Sequence, residues 1–74
     1  MILPTKYISE DQALLGVGAI ILLEIKRPQT VTSVWEKVRS HPSIGPFERF
    51  VLALDMLFIT GVIKLTNEMI ERAK

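Results

Sequence analysis

The stretch from Pro46 to Ile63 constrains the fold most, because it predicts one helix with apolar residues on two sides. Pro46 suits the first turn of this helix, and Gly61 suits its end, before a β-branched pair. The first apolar set recurs at i, i+3, i+4 and i+7, the spacing that lines one face of an α-helix. It comprises Phe47, Phe50, Val51, Leu54, Leu57 and Phe58. At about 100° per residue, Leu52, Met56 and Ile59 fall together on the opposite side. Either both faces pack inside one small globule, or one face meets another protein chain.

The length of 74 residues allows a single domain, and we expect residues 1–74 to form one. Hydrophobic residues make up 49% of the chain, whereas a domain this small buries only a modest fraction of its surface. The surplus apolar surface therefore predicts dimerisation or docking on a larger partner. The formal net charge of +1 offers little attraction for nucleic acid or for an anionic membrane.

Side chains suited to catalysis are few. The chain has no cysteine, which excludes disulfides, thiolate metal sites and a cysteine nucleophile, and which fits a cytoplasmic protein. Catalysis needs at least two suitable groups converging in a pocket, whereas the carboxylates here are scattered singly. The one histidine, His41, has no companion at metal-ligand spacing and is predicted to be an exposed turn residue. We therefore expect no enzymatic activity, no metal and no cofactor.

The first helix is predicted to begin after Ser9, an N-cap candidate with Gln12 at the capping-box position. It should end near Ile25, ahead of Pro28. Its apolar residues go all the way round, which is typical of a helix that is buried on every side or bridges two chains. The apolar run from Ala13 to Leu23 is too short for a membrane span, which needs about 20 residues. A buried helix is the interpretation that we favour.

A second helix is predicted to start at a cap formed by Thr30 or Thr32 and to run to about Ser40. It is amphipathic in the ordinary way, with valines on one side and charged or hydroxyl residues on the other. Trp35 lies on the apolar side, and we expect it to anchor the core where the three helices meet.

The residues after Gly61 favour a β-hairpin, because β-branched residues precede a turn at 66–68 and a returning strand. A final short helix beginning at Asn67 is the alternative, since asparagine is a good N-cap. Three helices followed by a hairpin predict a small α+β domain of winged-helix type. The extended lead-in, residues 1–8, could add a third strand.

Three segments carry a resemblance to a known family: LPTKYISEDQALLGVGAIIL from Leu3, TVTSVWEKV from Thr30 and FERFVLALDMLFITGVI from Phe47. Together they resemble the small middle component of bacterial ABC-three-component systems, which are proposed anti-phage conflict systems. The resemblance extends from Leu3 to about Ile63 and consists of hydrophobic packing signatures. It implies an adaptor that accompanies a large ABC-type ATPase, related to DNA-repair and chromosome-organising ATPases, and a separate effector. No catalytic or cofactor residue is attached to these segments.

The sequence thus predicts a non-catalytic adaptor that binds protein partners through apolar helix faces. The candidate contact residues are Leu52, Met56 and Ile59 of the third helix, with Val17 and Ile20 of the first helix as weaker candidates. A homodimer would bury the same surplus apolar surface that a contact with the ATPase or the effector would bury.

The alternative hypothesis is a small dimeric winged-helix regulator that binds DNA. In such domains the third helix enters the major groove, and here Arg49 and Lys64 would contact the nucleic acid. The apolar character of the third helix makes direct nucleic-acid binding the weaker hypothesis, since apolar side chains gain nothing from contact with a charged phosphate backbone.

Overall fold

The computed structural model describes residues 10–73, and their order is three helices followed by two strands. The elements are α1 (Glu10–Glu24), α2 (Val31–Val38), α3 (Phe47–Ile59), β1 (Ile63–Thr66) and β2 (Met69–Arg72). The predicted α+β arrangement of three helices and a C-terminal hairpin is confirmed. The alternative of a final helix from Asn67 is wrong, because that residue lies in the turn between the two strands.

The helix ends follow the local sequence signals closely. Thr30 caps α2, and its Oγ1 accepts a hydrogen bond from the backbone N–H of Ser33 at 3.1 Å. Pro46 occupies the N-cap of α3, one position before the first turn where it was expected. Gly61 follows α3 with a φ of 80°, the left-handed conformation that glycine adopts without steric cost. The predicted cap at Ser9 and the extended lead-in lie outside the described residues.

The hairpin closes through a tight two-residue turn. Thr66 pairs with Met69 across the turn, and both intervening residues, Asn67 and Glu68, have positive φ values of 53° and 64°. Two successive residues with positive φ match the right-handed twist of the strands that they connect. This geometry keeps the register in which Ile63 lies opposite Arg72.

Gln29, between α1 and α2, adds a short third piece to the sheet. Its backbone N–H donates to the carbonyl of Ile70 at 3.0 Å, and the N–H of Ile70 donates back to the carbonyl of Gln29 at 2.6 Å. The order helix, bridge, helix, helix, hairpin is compatible with the winged-helix arrangement, which stays a prediction. The third strand that residues 1–8 could add lies outside the described part of the chain.

One hydrophobic core joins all five elements. Its most deeply buried large side chains are Phe50, Ile21, Ile25, Ile44, Ile70, Val34 and Val38. Trp35 is half-buried at the edge of this core, as an anchor for α2. Its ring stacks edge-on against Phe47, with centroids 5.0 Å apart, and lies 5.1 Å from the ring of Phe50.

The C-terminal end of α1 is capped by side chains from outside the helix. The last carbonyls of a helix have no partner within the helix. Here Arg72 donates from Nε to the carbonyl of Ile25 at 2.9 Å and from Nη2 to that of Leu22 at 2.7 Å. Gln29 donates from Nε2 to the carbonyl of Glu24 at 2.8 Å. The hairpin therefore secures α1 as well as the core.

Candidate functional site: an exposed apolar ridge

The outward side of α3 carries two large aliphatic residues that are exposed to solvent. Phe50, Leu54 and Leu57 point into the core, so residues half a turn away point outward. Leu52 is 53% exposed and Ile59 is 84% exposed. Two of the three residues on the predicted second apolar side of the third helix, Leu52 and Ile59, therefore lie at the surface, whereas Met56 is half-buried against the core.

The outward side of α1 is apolar as well. Val17, Ile21 and Ile25 repeat every four residues and line the buried side. Leu15 and Leu23 lie on the other side, with exposed fractions of 61% and 66%. A surface helix normally carries charged or polar residues there, so α1 departs from the ordinary pattern in the same way as α3.

Helices α1 and α3 pack directly against each other at Gly18. A Cβ atom at position 18 would lie 2.9 Å from Cε of Met56 and 3.5 Å from Cδ2 of Leu57, so Gly18 lies directly against α3 and a larger residue there would displace the end of the Met56 side chain. On α1, the exposed Leu15 is three residues from this contact; on α3, Leu52 is four residues from Met56 and on the same side. The exposed residues therefore flank a shared seam.

We call this surface the apolar ridge. It consists of Leu15, Ala19 and Leu23 on α1 and of Leu52, Met56 and Ile59 on α3. Met56 is half-buried and packs against the core, whereas the five others are exposed.

Of the five candidate residues from the sequence, the structure brings Leu52, Met56 and Ile59 together on the ridge. Ile20 is half-buried and packs against the core. Val17 is only 2% exposed and lies in the core, because its spacing to Ile21 and Ile25 places it on the buried side of α1. Val17 is therefore corrected from a surface candidate to a core residue.

Sequence reasoning missed Leu15 and Leu23, two exposed large hydrophobic side chains of α1. A signal for them existed. Once Val17 and Ile21 are assigned to the core, Leu15 and Leu23 fall on the far side of the helical wheel. Because α1 is apolar on every side, the sequence alone does not show which side faces the core.

Acidic groups accompany the ridge on α3. Glu48 and Asp55 are exposed on the same outward side as Leu52 and Ile59. Arg49 is half-buried at the edge of the helix, and Lys64 stands apart on β1. A recognition helix that presents carboxylates and aliphatic side chains would repel a phosphate backbone. The outward side of α3 therefore suits a protein surface better than DNA.

His41 is exposed in the turn after α2, as predicted, and its Nδ1 accepts a hydrogen bond from the backbone N–H of Ser43 at 3.2 Å. Within residues 10–73, no three side chains of metal-ligand type come together. None of the helices over this range has the length and apolar character required to cross a membrane.

The sequence was compared with families of known proteins. The model of the family described as ABC-three component (ABC-3C) system Middle Component 6 matches residues 3–72, nearly the whole chain. No curated protein and no solved structure matches. The family match confirms the resemblance drawn from the three sequence segments and extends it through the hairpin.

Proposed function

Since the chain belongs to the Middle Component 6 family of ABC-three-component systems, we propose that it is a non-catalytic adaptor. In this role it holds an ABC-type ATPase and an effector subunit together in a bacterial antiviral defence system. The apolar ridge is the docking surface for one of these subunits. The proposal places the adaptor in the cytoplasm, where an ATPase finds its nucleotide, and requires no cofactor.

The observation that carries the proposal is the exposure of large aliphatic side chains on two adjacent helices. Burying a fully exposed leucine or isoleucine is worth about 1.5–3 kcal/mol. The four most exposed ridge residues, Leu15, Leu23, Leu52 and Ile59, are half to four-fifths exposed, so each would contribute about 1–2 kcal/mol. That sum is comparable to the cost of association, so the partner must add polar contacts around the ridge.

The carboxylates on α3 define which polar contacts would fit. Glu48 and Asp55 are exposed beside Leu52 and Ile59, and no ion pair to either is present within the described chain. A partner helix with an apolar stripe flanked by lysine or arginine would satisfy both the aliphatic and the acidic groups. A second copy of the chain would bring the same carboxylates together if it docked α3 against α3, which disfavours that form of homodimer.

The test is co-purification of the tagged chain with the products of the genes that flank its own. We expect a large ATPase in fixed proportion, identified by mass spectrometry. The double variant Leu52→Asp/Ile59→Asp should lose this partner while it keeps its fold, because neither side chain belongs to the core. The matched control is Thr32→Asp/Thr66→Asp, which adds the same charge at exposed positions outside the ridge.

Three outcomes would overturn the proposal. The first is recovery of the chain alone. The second is retention of the ATPase by the ridge variant as well as by the control. The third is recovery of nucleic acid that high salt removes, which would favour the DNA-binding regulator instead, and Arg49→Ala/Lys64→Ala should then abolish that binding.

A further inference from the structure

A basic depression lies where the end of α1 faces α2, and it shares no residue with the apolar ridge. Its volume is about 330 Å³, and it is lined by Glu24, Lys26, Arg27, Gln29 and Lys37. We propose that this depression binds a glutamate- or aspartate-rich segment of a protein partner. The inference adds a second docking surface, of different chemistry, to the one on α1 and α3.

A buried amide builds one wall of the depression. Gln29 is only 6% exposed, and its side chain is held by the bond from Nε2 to the carbonyl of Glu24. Its Oε1 accepts from Nζ of Lys37 at 2.8 Å and from Oγ of Ser33 at 3.0 Å. The ammonium of Lys37 is therefore held in place at the wall, with two of its three N–H donors left over for a ligand.

The positive charge in the depression is not neutralised internally. Three cations, Lys26, Arg27 and Lys37, face a single carboxylate, that of Glu24. Over the described residues, the one ion pair within 4 Å is elsewhere, between Arg39 and Glu36. An incoming carboxylate would meet an ammonium that is already positioned and a planar guanidinium whose fork matches its two oxygens.

The surroundings favour a protein segment over nucleic acid. On the other side of Lys26 and Arg27 lies a second depression of about 140 Å³, lined also by Ile25, Pro28, Glu71 and Arg72. A continuous phosphate backbone carries charges at a fixed spacing, so in crossing both depressions it could not avoid the carboxylates of Glu24 and Glu71, although the cations there outnumber them. A peptide can place single carboxylates between these groups and lay an apolar neighbour against Pro28.

The test is fluorescence anisotropy of the full chain with a short fluorescein-labelled peptide rich in glutamate, at low salt. Lys26→Glu/Arg27→Glu should weaken binding by about tenfold or more, because two attractive charges become repulsive. The matched control is Arg39→Glu/Lys64→Glu, which makes the same change in net charge at exposed positions outside the depression. The control should bind the peptide as the unmodified chain does.

The milder pair Lys26→Gln/Arg27→Gln should also weaken binding, and it covers the case in which the charge-reversed variant fails to fold. Absence of peptide binding by the unmodified chain would overturn the inference, and so would equal losses in variant and control. Tighter binding of a single-stranded oligonucleotide, lost in the Lys26 and Arg27 variants, would assign the depression to nucleic acid. None of these results bears on the ridge, so the adaptor proposal is tested separately.

Discussion

The helices α2 and α3 bury one side each in the same core, yet their solvent-facing sides differ. On α2 the outward residues are polar: Lys37 bonds to Gln29 outside the helix, and Glu36 pairs with Arg39 at the C-cap of the same helix. On α3 the aliphatic Leu52 and Ile59 are exposed and lie outside the core cluster of the described chain. The polar surface thus contributes to stability, whereas the apolar surface is left for another molecule.

The largest effect is expected inside α3, where Phe50→Ala removes a fully buried ring that packs against Trp35. Such a cavity costs about 3–5 kcal/mol of unfolding free energy, which a domain this small can scarcely spare. Urea denaturation followed by tryptophan fluorescence measures the loss. The control on the same helix is Leu52→Ala; equal losses in both would mean that the outward side belongs to the core.

A smaller loss is expected at the polar side of α2. Gln29→Ala removes the amide that serves the carbonyl of Glu24 and the side chains of Ser33 and Lys37. Leaving such partly buried groups unpaired costs about 1–3 kcal/mol, measurable in the same urea titration. Thr32→Ala, an exposed change on the same helix, is the control. Equal unfolding free energies for Gln29→Ala and Thr32→Ala would contradict the claim that polar contacts on this side stabilise the fold.

Next in size is Arg72→Ala, which frees the carbonyls of Leu22 and Ile25 at the end of α1. We expect a loss of about 1 kcal/mol, because one of the two bonds is exposed to solvent. Amide hydrogen exchange should show faster opening in the last turn of α1 than in α3. Arg72→Lys, which cannot reach both carbonyls with one ammonium, should lose nearly as much; full rescue by lysine would contradict the two-bond arrangement.

The smallest effect on stability is expected at the ridge itself. Leu52→Asp/Ile59→Asp should change the unfolding free energy by less than about 0.5 kcal/mol, as substitutions at exposed positions usually do. Thermal unfolding by circular dichroism measures this, in parallel with partner capture. A large loss of stability would show that both sides of α3 serve the core, which is the single-globule interpretation of the sequence.

Local signals in the sequence were enough to predict the elements of the fold. Thr30 as a cap, Pro46 and Gly61 at the two ends of α3, and the turn after Thr66 all act within a few residues of their own positions. The same holds for the ridge on α3, because its two apolar sets are separated by helical periodicity alone.

Contacts between distant residues could not be predicted in this way. Nothing near Gln29 indicates a strand bridge to Ile70, and nothing near Arg72 indicates a partner on α1, since each pairing depends on how the hairpin folds back. Val17 was placed on the wrong side of its helix for a related reason. On a helix that is apolar all round, only packing against α3 decides which residues are buried.

The bonds from Arg72 to α1 also suggest an order of events during folding. They join residues 47 and 50 positions apart, and closing so long a loop costs chain entropy before any contact repays it. Helical turns form first, while Ile63 and Ile70, both core residues, arrive only when the hairpin docks. Until that moment the inner sides of the helices lack the cover that Ile63 and Ile70 supply. An incompletely folded molecule therefore exposes part of its core in addition to the ridge, and early capture by a partner would protect it from aggregation.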